Sequence, residues 1–116
     1  MTVLNEKYAV VTGGTSGIGA ETAKLLRNRG YKVTATGVFD KEVEACRNDK
    51  SLDGITFERL DVANSEAVKS FFTGFTQLSA LVNCAGIGRG GAEFSEEGFT
   101  QTIDVNLLGT MRCSYA

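Results

Sequence analysis

The chain has 116 residues, 42% of them hydrophobic and 22% charged, with a net charge of −2. That balance predicts one globular domain over residues 1–116 and excludes a disordered or fibrous chain. Charges of both signs are interspersed, so no basic stripe marks a nucleic-acid partner, and the apolar runs fall short of the ~20 residues that cross a bilayer.

Residues 8–12 open with an apolar run, Tyr8-Ala9-Val10-Val11, that predicts a buried strand. A glycine-rich turn follows, and then a helical pattern over residues 17–29 that Gly30 stops. Ile18, Thr22, Leu25 and Leu26 are its expected sheet-facing side. Residues 32–37 predict a second strand, with Val33 and Ala35 inward. Asp40 is the expected N-cap of a short helix to residue 48. Residues 55–60 predict a third strand, and Asn64 or Ser65 caps the helix after it. Val68, Phe71, Phe72 and Phe75 recur there at the spacing of a core face. Residues 80–83 predict a fourth strand. Four glycines within residues 86–91 predict a mobile loop. Ser95 then caps a helix opened by Glu96 and Glu97, and the pattern restarts near Asp104 with Leu107, Leu108, Met111 and Tyr115.

Short apolar runs alternating with amphipathic stretches predict βαβ units. The expected fold is α/β, part of a Rossmann-type doubly wound parallel sheet with strand order 3-2-1-4. The order reverses between strands one and four. Both glycine-rich turns converge on that crevice, at the strand ends where such sheets bind ligands.

The first turn reads Thr12-Gly13-Gly14-Thr15-Ser16-Gly17-Ile18-Gly19. Glycine lets the backbone turn sharply and approach a ligand closely. Free N–H groups in the first turn of the following helix favour an anion. The step from Gly14 to Gly19 matches a P-loop, but Ala20 and Glu21 stand where Lys and Ser/Thr are required. A dinucleotide pyrophosphate is therefore the expected ligand, not a nucleoside triphosphate. The chain has no histidine, which excludes His-based triads and His-containing zinc sites. No metal site is expected. Cys46, Cys84 and Cys113 form no C-x-x-C pair and read as free thiols, with Cys46 and Cys113 as packing residues. The polar residues 1–7 lack the apolar core of a signal peptide, so the expected location is cytoplasmic.

Thr-Gly-x-x-x-Gly-Ile-Gly over residues 12–19 resembles the cofactor loop of the short-chain dehydrogenase/reductase family. Three later motifs extend the resemblance. Leu60-Asp61-Val62 looks like the family's adenine-contacting segment, the other reading of Asp61 being a cap or turn residue. Asn83-Cys84-Ala85-Gly86 is similar to the family's Asn-Asn-Ala-Gly, with Cys84 in place of the second Asn. Asn83 is expected to tie neighbouring strands through its amide, with small residues letting the ribose lie against the backbone. Ile103-Asp104-Val105-Asn106 resembles the segment whose Asn belongs to the catalytic tetrad. That Asn sits at a helix irregularity, and its main-chain carbonyl holds a water leading to the catalytic lysine. Asn106 takes this role, the other reading being an Asn satisfied by local backbone bonds.

The resemblance implies an NAD(P)-dependent oxidoreductase. Hydride would pass between a nicotinamide and the carbonyl or hydroxyl carbon of a small substrate. It implies cofactor contacts from Gly13, Thr15, Ser16, Gly17, Ile18 and Gly19 in the first turn and from Gly37 and Val38 after the second strand. Asp61, Val62, Asn83, Ala85 and Gly86 complete the set. NAD and NADP stay undecided. Gly37 replaces the acidic residue of NAD sites, and Ser16 and Val38 lack the basic residue of NADP sites, so discrimination below a hundredfold is expected.

The family's general acid is the Tyr of a Tyr-x-x-x-Lys motif, whose Lys lowers a phenol pKa that is otherwise near ~10. Ser114 and Tyr115 do not match that motif. The expectation is an amino-terminal, cofactor-binding half, inactive alone and homo-oligomeric when intact. Two other classes compete. A non-catalytic dinucleotide-binding or redox-sensing module would use the same fold without the Tyr and Lys. A methyltransferase would want a shorter glycine turn and an acidic residue where Thr36-Gly37-Val38 stands.

Overall fold

A computed structural model describes residues 6–116; residues 1–5, most of the polar lead, lie outside the described residues. Four parallel strands form one sheet in the order β3-β2-β1-β4, as the alternation predicts. They are β1 (Tyr8–Thr12), β2 (Lys32–Gly37), β3 (Ile55–Arg59) and β4 (Ala80–Asn83). The helices are α1 (Gly17–Asn28), α2 (Asp40–Arg47), α3 (Ser65–Thr73), α4 (Glu96–Ile103) and α5 (Gly109–Tyr115). A π-type turn, Asp104–Leu108, joins α4 to α5.

Strand alternation divides the core into two layers. Ala9, Val11, Val33, Ala35 and Phe57 face one side and pack with Ala23 of α1 and Val43 and Cys46 of α2. Val10 faces the other side, against Leu60, Val62, Val68, Phe72 and Cys113. A strand covered on both faces reads as a continuous apolar run, which is why β1 was conspicuous. Phe71, Phe72 and Phe75 form a cluster, with Phe71 edge-on to Phe72 at 5.0 Å. Burial raises the thiol pKa of both Cys46 and Cys113, in keeping with packing roles.

Two local expectations are corrected. Ile18 and Leu25 do not face the sheet; they are 81% and 51% exposed. The buried side of α1 is Gly19, Ala20 and Ala23, with Leu26 at its edge. Small residues let this helix lie close to its own glycine turn, which leaves no room for branched side chains. Asp40 is not the N-cap of α2. Phe39, with extended backbone, holds that place, and Asp40 is the first helical residue, where its charge suits the helix dipole. Asn64 and Ser95 do cap α3 and α4, accepting from the Ala67 and Gly98 N–H groups.

β4 stands at the end of the sheet and pairs only with β1 among the described residues. Leu107, Leu108, Met111 and Tyr115 are exposed, from 36% to 85%.

Candidate functional site

The carboxyl ends of the strands open on a cleft of about 680 Å³. Its walls come from the β1–α1 turn, the β2–α2 corner, residues 60–63 after β3, the loop after β4 and the end of α4 with the π-type turn. This is the crevice where the strand order reverses.

The β1–α1 turn is shaped by contact with itself and with the loop after β4. Gly13 has φ +63°, and a Cβ there would lie 2.6 Å from the backbone of Ala85. A Cβ at Gly19 would lie 2.0 Å from the Gly13 carbonyl oxygen. No side chain fits at either point. Ser16, the N-cap of α1, makes no side-chain cap bond, and no acidic residue stands in the first turn of α1. By contrast, α2, α3 and α4 each carry a carboxylate in the first turn. The start of α1 therefore faces the cleft with its orphan N–H groups and dipole uncompensated by side chains, the arrangement that receives an anion.

Most of the expected contact residues come together here. Gly13, Thr15, Ser16, Ile18, Gly19, Gly37, Val38, Asp61, Val62, Ala85 and Gly86 all line the cleft. Asp61 does both things considered for it. It lines the cleft, and its Oδ1 accepts from the Ala63 N–H at 2.9 Å to shape the turn after β3.

Three expected residues do not line it. Gly17 has φ +56° and serves the turn itself. Asn83 points elsewhere because strand alternation places it on the face of Leu81, toward α5. Its Nδ2 donates to Ser114 Oγ at 3.4 Å rather than tying two strands, and its buried Oδ1 has no hydrogen-bond partner among the described residues. Asn106 stands behind the wall. Its Oδ1 accepts from the Ile87 N–H at 2.7 Å, and its Nδ2 donates to the Ile87 carbonyl at 2.9 Å. That is a two-point clamp across 19 residues, not the local backbone bond weighed for it. It does sit in a helix irregularity, the π-type turn. Asn106→Ala is expected to release the loop, and amide exchange at Ile87 should quicken at least ~10-fold. Unchanged exchange would mean that other contacts hold Ile87.

Several lining residues carried no motif to announce them: Cys84, Ile87, Arg89, Gln101, Phe39 and Glu42. Arg112 matters without touching the cleft. It donates to Ser65 Oγ, to the main-chain carbonyls of Val62 and Asp104, and to the Asp104 carboxylate at 2.5 Å. It thereby fixes the π-type turn to the loop that carries Val62. Among the described residues no cluster of three metal-ligating side chains occurs, and no helix is long and apolar enough to cross a membrane.

The family model for short chain dehydrogenases matches residues 7–116. An uncharacterized oxidoreductase of Staphylococcus haemolyticus is 32% identical over 117 residues, covering 96% of this chain and 51% of the relative. The chain thus spans about half the length of the relatives it matches. The actinorhodin polyketide ketoreductase solved with NADPH superposes with a TM-score of 0.82 at 26% identity, over 99% of this chain and 47% of the other. ElxO with NADP bound gives a TM-score of 0.80 at 28% identity, over 96% and 48%. The glycine turn, the crevice and these likenesses agree: the chain belongs to the short-chain dehydrogenase family.

Proposed function

We propose that this chain is the cofactor-binding portion of an NAD(P)-dependent oxidoreductase acting on a small carbonyl or alcohol substrate. The observation that carries the reading is the uncapped start of α1 facing the cleft, beside glycines whose Cβ atoms have no room. A pyrophosphate fits that cradle. Gly13, Thr15, Ser16, Ile18 and Gly19 would hold it, with Gly17 setting the turn. Gly37 and Val38 would border the adenosine ribose, and Asp61 and Val62 the adenine. Ala85 and Gly86 would lie along the second ribose, with Asn83 anchoring the base of their loop. When bound, the nicotinamide group supplies a hydride donor or acceptor.

The chain's own residues then position and enclose. Asn106 acts as a positioning residue, because its side chain sets the backbone of Ile87, which lines the cleft. Its main-chain carbonyl is proposed to hold the water that the family resemblance implies. The 116 residues contain no Tyr-x-x-x-Lys, so they offer no phenol paired with a lysine to protonate an alkoxide. The exposed Leu107, Leu108, Met111 and Tyr115 support a homo-oligomer for the working enzyme, and the cytoplasm is its proposed location.

Calorimetric titration with NAD and NADP tests the reading. At least one should bind saturably, one per chain, while a panel of ketones with NAD(P)H should show no turnover above background. Failure of both dinucleotides to bind would overturn the site. Turnover would mean that a residue within these 116 donates the proton.

A further inference from the structure

We infer that Glu42, reaching in from α2, is the group that selects between NAD and NADP, and that it favours NAD. The inference rests on the dinucleotide reading above and concerns one corner of that cleft. Dinucleotide sites that take NAD place a carboxylate on the ribose 2′-hydroxyl, from a residue about 20 positions past the glycine turn. Gly37 stands at that place and has no side chain. The space is already filled: a Cβ on Gly37 would lie 2.5 Å from Thr15 Cγ2 and 3.0 Å from its Oγ1. A carboxylate at 37 and this placement of Thr15 are mutually exclusive.

Thr15 is held at both ends. Cys46 Sγ donates to its main-chain carbonyl at 3.2 Å, and its own Oγ1 donates to Glu42 Oε1 at 3.2 Å. A carboxylate thus returns to the corner from the third residue of α2, by way of the threonine that displaced it from β2. Glu42 lines the cleft together with Gly37, Val38 and Phe39. Its Oε2 makes no hydrogen bond among the described residues and is available to accept from a hydroxyl.

The neighbouring charges do not reverse the sign. Arg59 is the cation nearest in the fold, since it pairs in register with Gly37. Its Nε donates to the Val38 carbonyl at 2.8 Å and lies 3.7 Å from Asp40 Oδ1, and Arg59 does not line the cleft. Lys41 does not line it either. A 2′-phosphate would therefore meet Glu42 with no cation among the lining residues of that corner. The NADPH and NADP held by the two solved relatives are features of those proteins; here the local charge points the other way.

The test is side-by-side titration of the chain, Glu42→Gln and Glu44→Gln with NAD and NADP. Glu44 lies on the same helix but pairs with Arg47, away from the cleft, so it controls for net charge. The unaltered chain should favour NAD about 10-fold, within the range expected from the sequence. Glu42→Gln should bring the ratio close to one, chiefly through tighter NADP binding, and Glu44→Gln should keep it. A starting ratio below about threefold, an unchanged ratio in Glu42→Gln, or an equal change in Glu44→Gln would each overturn the inference and leave the site standing. If neither dinucleotide binds, both readings fail.

Discussion

Gly19→Val is expected to abolish dinucleotide binding, with affinity falling ~100-fold or more. The first Cβ atom alone would sit 2.0 Å from the Gly13 carbonyl oxygen, well inside contact distance. The obstruction is the chain's own turn, so it exists before any ligand arrives. To relieve it, α1 must move off the turn, and its first-turn N–H groups move with it. Gly13 is itself wedged against Ala85, so the displacement would pass to the loop after β4. Overpacking of this kind costs about 1–3 kcal/mol in stability. Denaturant unfolding run beside calorimetry separates the two losses. A folded variant that bound as tightly as the parent would show that the start of α1 is not the anion site.

Arg112→Met is expected to be the most destabilising surface-side change, by about 3 kcal/mol. The side chain is only 17% exposed and serves four acceptors on three segments. Methionine would preserve much of the volume but leave the Val62 carbonyl and the Asp104 carboxylate without their donor. Arg112→Lys should recover less than half of the loss, because one ammonium cannot reproduce a planar fork reaching several acceptors. Urea unfolding followed by circular dichroism checks both. A lysine variant as stable as the parent would show that charge alone matters at this position.

The sheet and its order were legible because each strand's apolar run and each turn chemistry spoke locally. So did the caps of α3 and α4, where an Asn and a Ser have few other tasks. The sheet-facing side of α1 was misread for a physical reason. Periodicity weighs large apolar residues, whereas close approach is made by what is missing, and here the buried stripe is Gly19, Ala20 and Ala23. Asp40 was placed one residue early because a capping residue and a first-turn carboxylate have nearly the same sequence signature. The direction of Asn83 followed from alternation along β4 and could have been read. The Asn106–Ile87 clamp and the reach of Arg112 could not, since each joins segments whose nearness only the fold establishes. Glu42 was overlooked because a glutamate early in a helix is ordinary, and its meaning depends on Thr15 lying over Gly37.

The π-type turn has a consequence for how this chain can vary in length. In it the Gly109 N–H reaches back five residues to the Asp104 carbonyl, so the helix carries one residue more than a regular turn. Each residue of an α-helix advances the phase by about 100°. Removing a single residue from 104–108 would restore an unbroken helix and improve its local geometry. It would also rotate all that follows by about that angle. Cys113, now 2% exposed, would leave the core layer it shares with Val10 and Val62. Arg112 would swing away from Val62 and Ser65. Gly109, which leaves room for Val62 Cγ2 where a Cβ would lie 2.5 Å away, would no longer face it. A deletion here would be silent in helix content and destructive in packing, whereas a deletion in the glycine loop at residues 88–91 would leave the helical phase untouched.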